Sequence, residues 1–171
     1  MNSTPELLEK LKKIDMFEDF ADNSESSNKI LEELCNIMVY QEFKKGDVIL
    51  QEGEHGETLH ILAQGNVNVM RTTMQGESFL VAKLLAEYNV FFGEMCLISK
   101  AERSASVIAA TDCKTLMITG KDYLDLCEKE PVFGHKSLKR LSIRLINMLQ
   151  KTNNDVKVLY QALLDEVENI N

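Results

Sequence analysis

Thr58-Leu59-His60-Ile61-Leu62-Ala63 and Val67-Asn68-Val69-Met70-Arg71-Thr72, separated by Gly65, are the stretch whose reading decides the fold. Both runs are rich in β-branched and apolar residues. The second alternates apolar with polar, the period of a strand with one face buried, and a glycine between two such runs supplies a turn. Working outward, the pattern recurs over Val39–Phe43, Val48–Gln51, Ser78–Leu85, Ser104–Ala109 and Thr115–Ile118, with Gly46, Gly53, Gly56 and Gly76 at the breaks. No helical period separates the early strands, so the predicted fold is mainly β, a β-roll or jelly-roll barrel, not a parallel sheet. Glu52, Glu54 and Glu57 flank two of the glycines. With no nucleophile or metal ligand beside them, they read as a solvated turn.

Helices are expected at both ends. Ser3-Thr4-Pro5-Glu6 has the residues of a helix start, and Leu7, Leu8, Leu11 and Ile14 follow at helical spacing. A polar loop, Asp22 to Asn28, leads to a second helical period in Ile30, Leu31, Leu34 and Ile37. After Gly120 a short helix is expected over Lys121–Cys127, interrupted at Pro131, and a long one from Leu138. In it Leu145, Leu149, Thr152, Val156, Leu159, Leu163 and Ile170 recur at steps of four and three, broken by Glu166. That seam is a coiled-coil signal. The same helix could also pack on its own barrel through Leu141 and Ile146. The expected organisation is a helical preface (1–37), the barrel (38–119), and a hinge helix with a long dimerisation or lid helix (120–171).

The chain has 171 residues, 44% hydrophobic, enough for one packed domain with an appendage. A formal charge of −8 and a pI near 5.0 argue against nucleic acid or anionic membrane as partners. Cys35, Cys96, Cys113 and Cys127 lack the paired spacing of metal sites, and His55, His60 and His135 form no metal motif. No metal is expected. The N-terminus has no apolar leader core and no run reaches membrane-span length, so a cytoplasmic protein is expected.

Residues Phe91 to Ala109 are the stretch built for chemistry. Gly93 lets the backbone approach a ligand closely, and Glu94 to Ile98 read as a short helical turn whose first N–H groups point outward, a cradle for phosphate. Nine residues after Glu94, Arg103 precedes a β-branched run read as a neighbouring strand, from which a planar guanidinium could meet two phosphate oxygens. Glu94, an acceptor only, suits a neutral hydroxyl. Taken alone, these residues also fit a helix start favoured by the macrodipole and a solvated surface arginine.

Phe92-Gly93-Glu94 followed by Glu102-Arg103-Ser104-Ala105 resembles the phosphate-binding cassette (91–109) of cyclic nucleotide-binding domains, most nearly the sensor domain of bacterial cyclic-AMP receptor (catabolite activator) proteins. The order Lys44-Lys45-Gly46-Asp47-Val48-Ile49, Glu52-Gly53-Glu54 and Gly65-Asn66-Val67-Asn68-Val69 resembles that family's barrel. The resemblance implies a 3′,5′-cyclic nucleotide ligand. Glu94 would hold the ribose 2′-OH, Arg103 and Ser104 the phosphate, and the backbone from Gly93 through Met95 to Cys96 the cradle, flanked by Phe92 and Ala105. Leu149 to Val156 resembles the family's dimer helix, in which a Thr and the next residue reach the adenine amino group, one from each subunit; Thr152 and Asn153 would inherit those roles. Cyclic AMP is the first ligand implied and cyclic GMP the close competitor, because a hydroxyl at Ser104 also serves a guanine amino group. Where the family commonly has Gly-Asp before the cassette, this chain has Asn89-Val90. Asn tolerates the left-handed conformation, whereas Val90 cannot replace an aspartate's hydrogen bonds, so a looser approach to the cassette is expected. Receptors of this type continue into a winged helix-turn-helix. Here the sequence reaches Asn171 at the dimer helix, so no DNA-reading domain is expected and the output would pass to a separate effector protein. The alternative is a barrel that has lost its ligand and serves as a dimerisation scaffold. An enzyme is more distant, since neither catalytic residues nor metal ligands are indicated.

Overall fold

The computed structural model describes residues 4–99 and 101–169. Ser3, expected at the first helix start, and Ile170, expected at the end of the apolar seam, lie outside them. Among the described residues, eight strands form two antiparallel sheets: β1 (Val39–Phe43), β2 (Val48–Leu50), β3 (Thr58–Gln64), β4 (Asn66–Thr72), β5 (Ser78–Leu85), β6 (Phe91–Phe92), β7 (Ser106–Ala109) and β8 (Cys113–Thr119). Their orders, β1-β8-β3-β6 and β2-β7-β4-β5, are those of a jelly roll, in which most successive strands alternate between sheets. The mainly β barrel with flanking helices is thus what the chain forms.

Strand β3 shows why the pattern there was denser than simple alternation. Leu59 and Ile61 belong to the cluster that the barrel shares with the helices, Leu62 to the cluster inside the barrel, and both faces are dry. The outer cluster collects α1 (Thr4–Lys12), a 3-10 turn (Asp15–Phe20), α2 (Glu25–Ile37), α4 (Gly120–Lys129) and the start of α5 (Pro131–Asn169), with Phe17 and Phe20 against Phe133. Each apolar side chain buried there contributes about 1.5–3 kcal/mol. Ser24 caps α2 by accepting from Ser27 N, and Thr119 caps α4 by accepting from Asp122 N. Arg140 on α5 makes a two-pronged contact with Asp19 (3.1 and 2.8 Å), and the guanidinium holds that carboxylate's pKa below its ordinary value.

Three sequence expectations shift. The long helix opens at Pro131, seven residues before Leu138, because proline suits the first helical position and interrupts only what precedes it. The hinge helix runs Gly120–Lys129, so that only Glu130 (φ −120°, ψ 78°) separates it from α5. β7 begins at Ser106, which leaves Arg103 and Ser104 in a loop instead of at a strand start. The short strand β6 and the 3-10 turn carry too few residues to show a period. From Leu145 to Val167 every side chain of α5 is exposed, including Leu149, Val156, Leu159 and Leu163. Among the described residues, no helix is long and apolar enough to cross a membrane.

Candidate functional site

A cavity of about 240 Å³ lies between the barrel and α5. Leu50, Val69, Leu84 and Val107 form its barrel wall, Gly93 to Met95 and Arg103 to Ala105 its cassette side, and Arg144 and Met148 reach it from α5. The turn leading in is formed by Asn89-Val90. Asn89 adopts the left-handed conformation (φ 51°, ψ 49°), and its Oδ1 accepts from Lys10 Nζ (3.0 Å), which also donates to the Ala86 carbonyl (2.6 Å). Val90 packs on the barrel core, and its carbonyl accepts from Leu62 N (3.0 Å). The looser approach expected there is therefore corrected: a lysine from α1 and apolar packing fix the turn in place of an aspartate.

Arg103 is 6% exposed and its guanidinium is clamped. Nη1 donates to the carbonyls of Thr58 (2.9 Å) and Gly93 (3.1 Å), and Nη2 donates to Thr58 Oγ1 (2.8 Å). Gly93 (φ +86°) admits this because a Cβ there would fall 2.6 Å from the Thr58 carbonyl and 2.9 Å from Arg103 Nη1. A guanidinium has five N–H donors. Those three bonds leave Nε–H and the second Nη2–H, adjacent on one edge of the plane, the spacing that matches two oxygens of one phosphate. The helix beside it, α3 (Cys96–Ser99), is a single turn, so the main positive charge comes from the arginine and not from a macrodipole.

Glu94 is 7% exposed, and its ion-pair partner is Arg144, whose Nε lies 3.5 Å from Oε1. The pair is electrostatic only. Its geometry fails as a hydrogen bond, and Nε is a buried donor with no hydrogen-bond acceptor among the described residues. Arg144 also stacks over Phe91 (Cζ 4.2 Å from the centroid) and donates from Nη2 to the Phe91 carbonyl (3.4 Å). A buried carboxylate with spare lone pairs thus faces a half-buried arginine whose Nε–H is a spare, buried donor.

The structure brings Phe92, Gly93, Glu94, Met95, Arg103, Ser104 and Ala105 to one cavity. Ser104 Oγ donates weakly to Met95 Sδ (3.5 Å). The backbone of Cys96 opens α3, while its side chain lies outside the described residues. Thr152 and Asn153 are not brought there. They are exposed on α5 beyond Met148, one turn past the cavity wall. Two residues escaped the sequence reading. Arg144 follows Leu141 at a spacing of three and precedes Met148 by four, a cation on an otherwise apolar helix face, which was its signal. Thr58 held no signal, since its carbonyl does half the work. Among the described residues no group of three or more His, Cys, Asp or Glu could hold a metal ion.

Residues 40–130, 91 of the 171, match the family model described as the cyclic nucleotide-binding domain, and the chain belongs to that family. It is similar to the cyclic AMP receptor protein of Thermus thermophilus, 34% identical over 103 residues covering 60% of this chain and 47% of that protein. It is also similar to human cGMP-dependent protein kinase 2, 38% identical over 79 residues, 46% of this chain and 10% of the kinase. The chain thus spans about half or less of these relatives' length. Among solved structures, the catabolite activator protein of Thermus thermophilus superposes with a TM-score of 0.69 at 26% identity, over 82% of this chain and 62% of that one. The family is one of binding domains, and no enzyme family is indicated.

Proposed function

We propose that this domain binds a 3′,5′-cyclic nucleotide, with cyclic AMP preferred over cyclic GMP, and that binding moves its C-terminal helices. The observation that carries this is the Arg103 fork, held by its other edge and facing a cavity that also contains Glu94. In this reading the phosphate takes the fork and the Ser104 hydroxyl, the ribose 2′-OH donates to Glu94, and the backbone from Gly93 to Cys96 closes around the phosphate between Phe92 and Ala105. Arg144 ties α5 to the cassette through Glu94 and Phe91. The names of the two relatives, one a cyclic AMP receptor and one a cGMP-dependent kinase, support the ligand class and leave both bases in play.

The exposed stripe of Leu145, Leu149, Val156, Leu159 and Leu163 supports a homodimer in which Thr152 and Asn153, remote from the cavity in one chain, meet ligand across the pair. A separate effector protein would read the moved helix. Calorimetric competition of cyclic AMP against cyclic GMP tests the base preference. Arg103→Ala tests the site, with an expected loss of about 2–5 kcal/mol of binding. Equal binding by the variant and wild type would refute the assignment. The same apolar stripe also favours a ligand-free dimerisation scaffold, which predicts no thermal stabilisation by either nucleotide.

A further inference from the structure

A file of buried polar groups runs from the site into the barrel. Arg103 Nη2 donates to Thr58 Oγ1 (2.8 Å), Thr58 Oγ1 lies 3.2 Å from His60 Nε2, and His60 Nδ1 lies 3.3 Å from Thr115 Oγ1. His60 is 4% exposed, Thr115 fully buried, and the imidazole stacks on Phe92 (5.4 Å between centroids, 2° between planes). Polar groups in a barrel otherwise filled by Leu62, Val67 and Val107 are costly unless each is satisfied, and here each finds its partner in the next. The hydrogen-bond directions follow. The Thr58 hydroxyl accepts from the guanidinium, so its single proton goes to Nε2. Nε2 is then the bare nitrogen, and the ring proton sits on Nδ1 and is donated to Thr115. Burial first, and the Arg103 charge second, hold the ring's pKa down at about 4, so it is neutral near pH 7. The charged group facing the ring is Arg103; its neighbours Thr58, Phe92, Thr115 and Met117 are uncharged side chains.

We propose that His60 is a positioning residue for Arg103: by holding the Thr58 hydroxyl as an acceptor, it fixes the rotation of the guanidinium and so decides which two N–H groups face the cavity. The two carbonyl bonds at Nη1 act as a pivot, and Thr58 Oγ1 is the second point that stops rotation about it. The inference rests on Arg103 as the phosphate ligand. Its consequence is stereochemical, because the two non-bridging oxygens of a cyclic phosphate are inequivalent and a fixed fork distinguishes them.

The test uses the Rp and Sp phosphorothioates of cyclic AMP, in which sulfur replaces one or the other oxygen. Wild type should separate the two by about tenfold or more, the value of one charge-assisted hydrogen bond. His60→Phe, which keeps the stacked ring, and Thr58→Val, which keeps the shape, should bring them within about threefold of each other. A residue that merely stabilises the fold would weaken both analogues alike, and an unchanged ratio in both variants overturns the proposal. The ligand-free protein gives an independent measurement by nitrogen-15 NMR. The His60 ring should be protonated on Nδ1, and the Arg103 Nη signals, resolved by restricted rotation in wild type, should merge in both variants. A ring protonated on Nε2, or Arg103 signals unaltered by either substitution, overturns the proposal. If wild type binds no cyclic nucleotide while these NMR results hold, the ligand reading fails and the positioning of Arg103 stands.

Discussion

Gly56 lies against the face of the Arg103 guanidinium, and replacing it with alanine is a direct probe of the clamp. A Cβ there would sit 2.3 Å from Nε and 2.6 Å from both Cζ and Nη2. Ordinary contact begins near 3.5 Å, so the arginine would have to retreat by about 1 Å. Its three hydrogen bonds, 2.8 to 3.1 Å long, cannot all survive that displacement. A hydrogen bond from a charged donor contributes about 1.5–3 kcal/mol, and with partial recovery by water a net loss of about 2–3 kcal/mol is expected. For a chain of this size that lowers the thermal midpoint by roughly 4–12 °C. Binding should weaken by roughly 30- to 150-fold, because the displaced fork no longer meets the phosphate. Gly76→Ala is the control. Its glycine has φ +87° with open space around it, so alanine there costs about 1–2 kcal/mol of backbone strain without touching the site. Calorimetry with cyclic AMP and scanning calorimetry on both variants decide the matter. A Gly56→Ala protein that binds within about threefold of wild type, with a midpoint no lower than that of Gly76→Ala, would refute the clamp.

Arg144→Met keeps the aliphatic stem but removes the cation over Phe91 and the charge beside Glu94. A loss of about 1–2 kcal/mol, seen as roughly 2–8 °C in the thermal midpoint, is expected, and an unchanged midpoint would mean that this contact does not hold α5. His60 makes stability depend on pH. Its folded pKa of about 4 lies below the ordinary 6.5, so as pH falls the unfolded chain takes up the proton first, and stability present above pH 6.5 is lost between 6.5 and 4. That acid limb, roughly 3 kcal/mol at most, should be missing from His60→Phe in midpoint-against-pH curves, and parallel curves would contradict the buried neutral ring. The Leu149→Asp and Leu159→Asp double variant should sediment as a monomer where wild type is a dimer. A monomeric wild type with and without nucleotide, and a variant that binds normally, would exclude the stripe as the dimer seam.

The barrel was legible because its strands carry their own signal: β1 and β5 fall on the residues that alternation picks out, and glycines mark the turns between. The cassette was legible because its chemistry sits in a short contiguous stretch. What the sequence could not display were partners supplied from far along the chain. Lys10 holds a turn 79 residues away at Asn89, Thr58 holds Arg103 across 45 residues, and Arg144 meets Glu94 from another element. His60 looked like one of three unrelated histidines, because alternation tells which face a residue is on and not that Thr58, Thr115 and Phe92 share that face. Pro131 misled for a different reason: proline ends one helix and begins the next by the same geometry.

The single-residue junction at Glu130 has a mechanical meaning that follows from lengths alone. With a rise of 1.5 Å per residue, the ten residues of α4 extend about 15 Å from the junction and the 39 of α5 about 58 Å. If the pair turns as one bent rod about Glu130, the far end of α5 travels nearly four times as far as the barrel end of α4. Arg144, some 20 Å along, travels about a third farther than the end of α4. A shift of about 1.5 Å where α4 meets the barrel would carry the far end of α5 sideways through about 6 Å. Such a lever would turn a small displacement beside the barrel into a sideways sweep of the distal helix, large enough to change which of its residues meet whatever covers it.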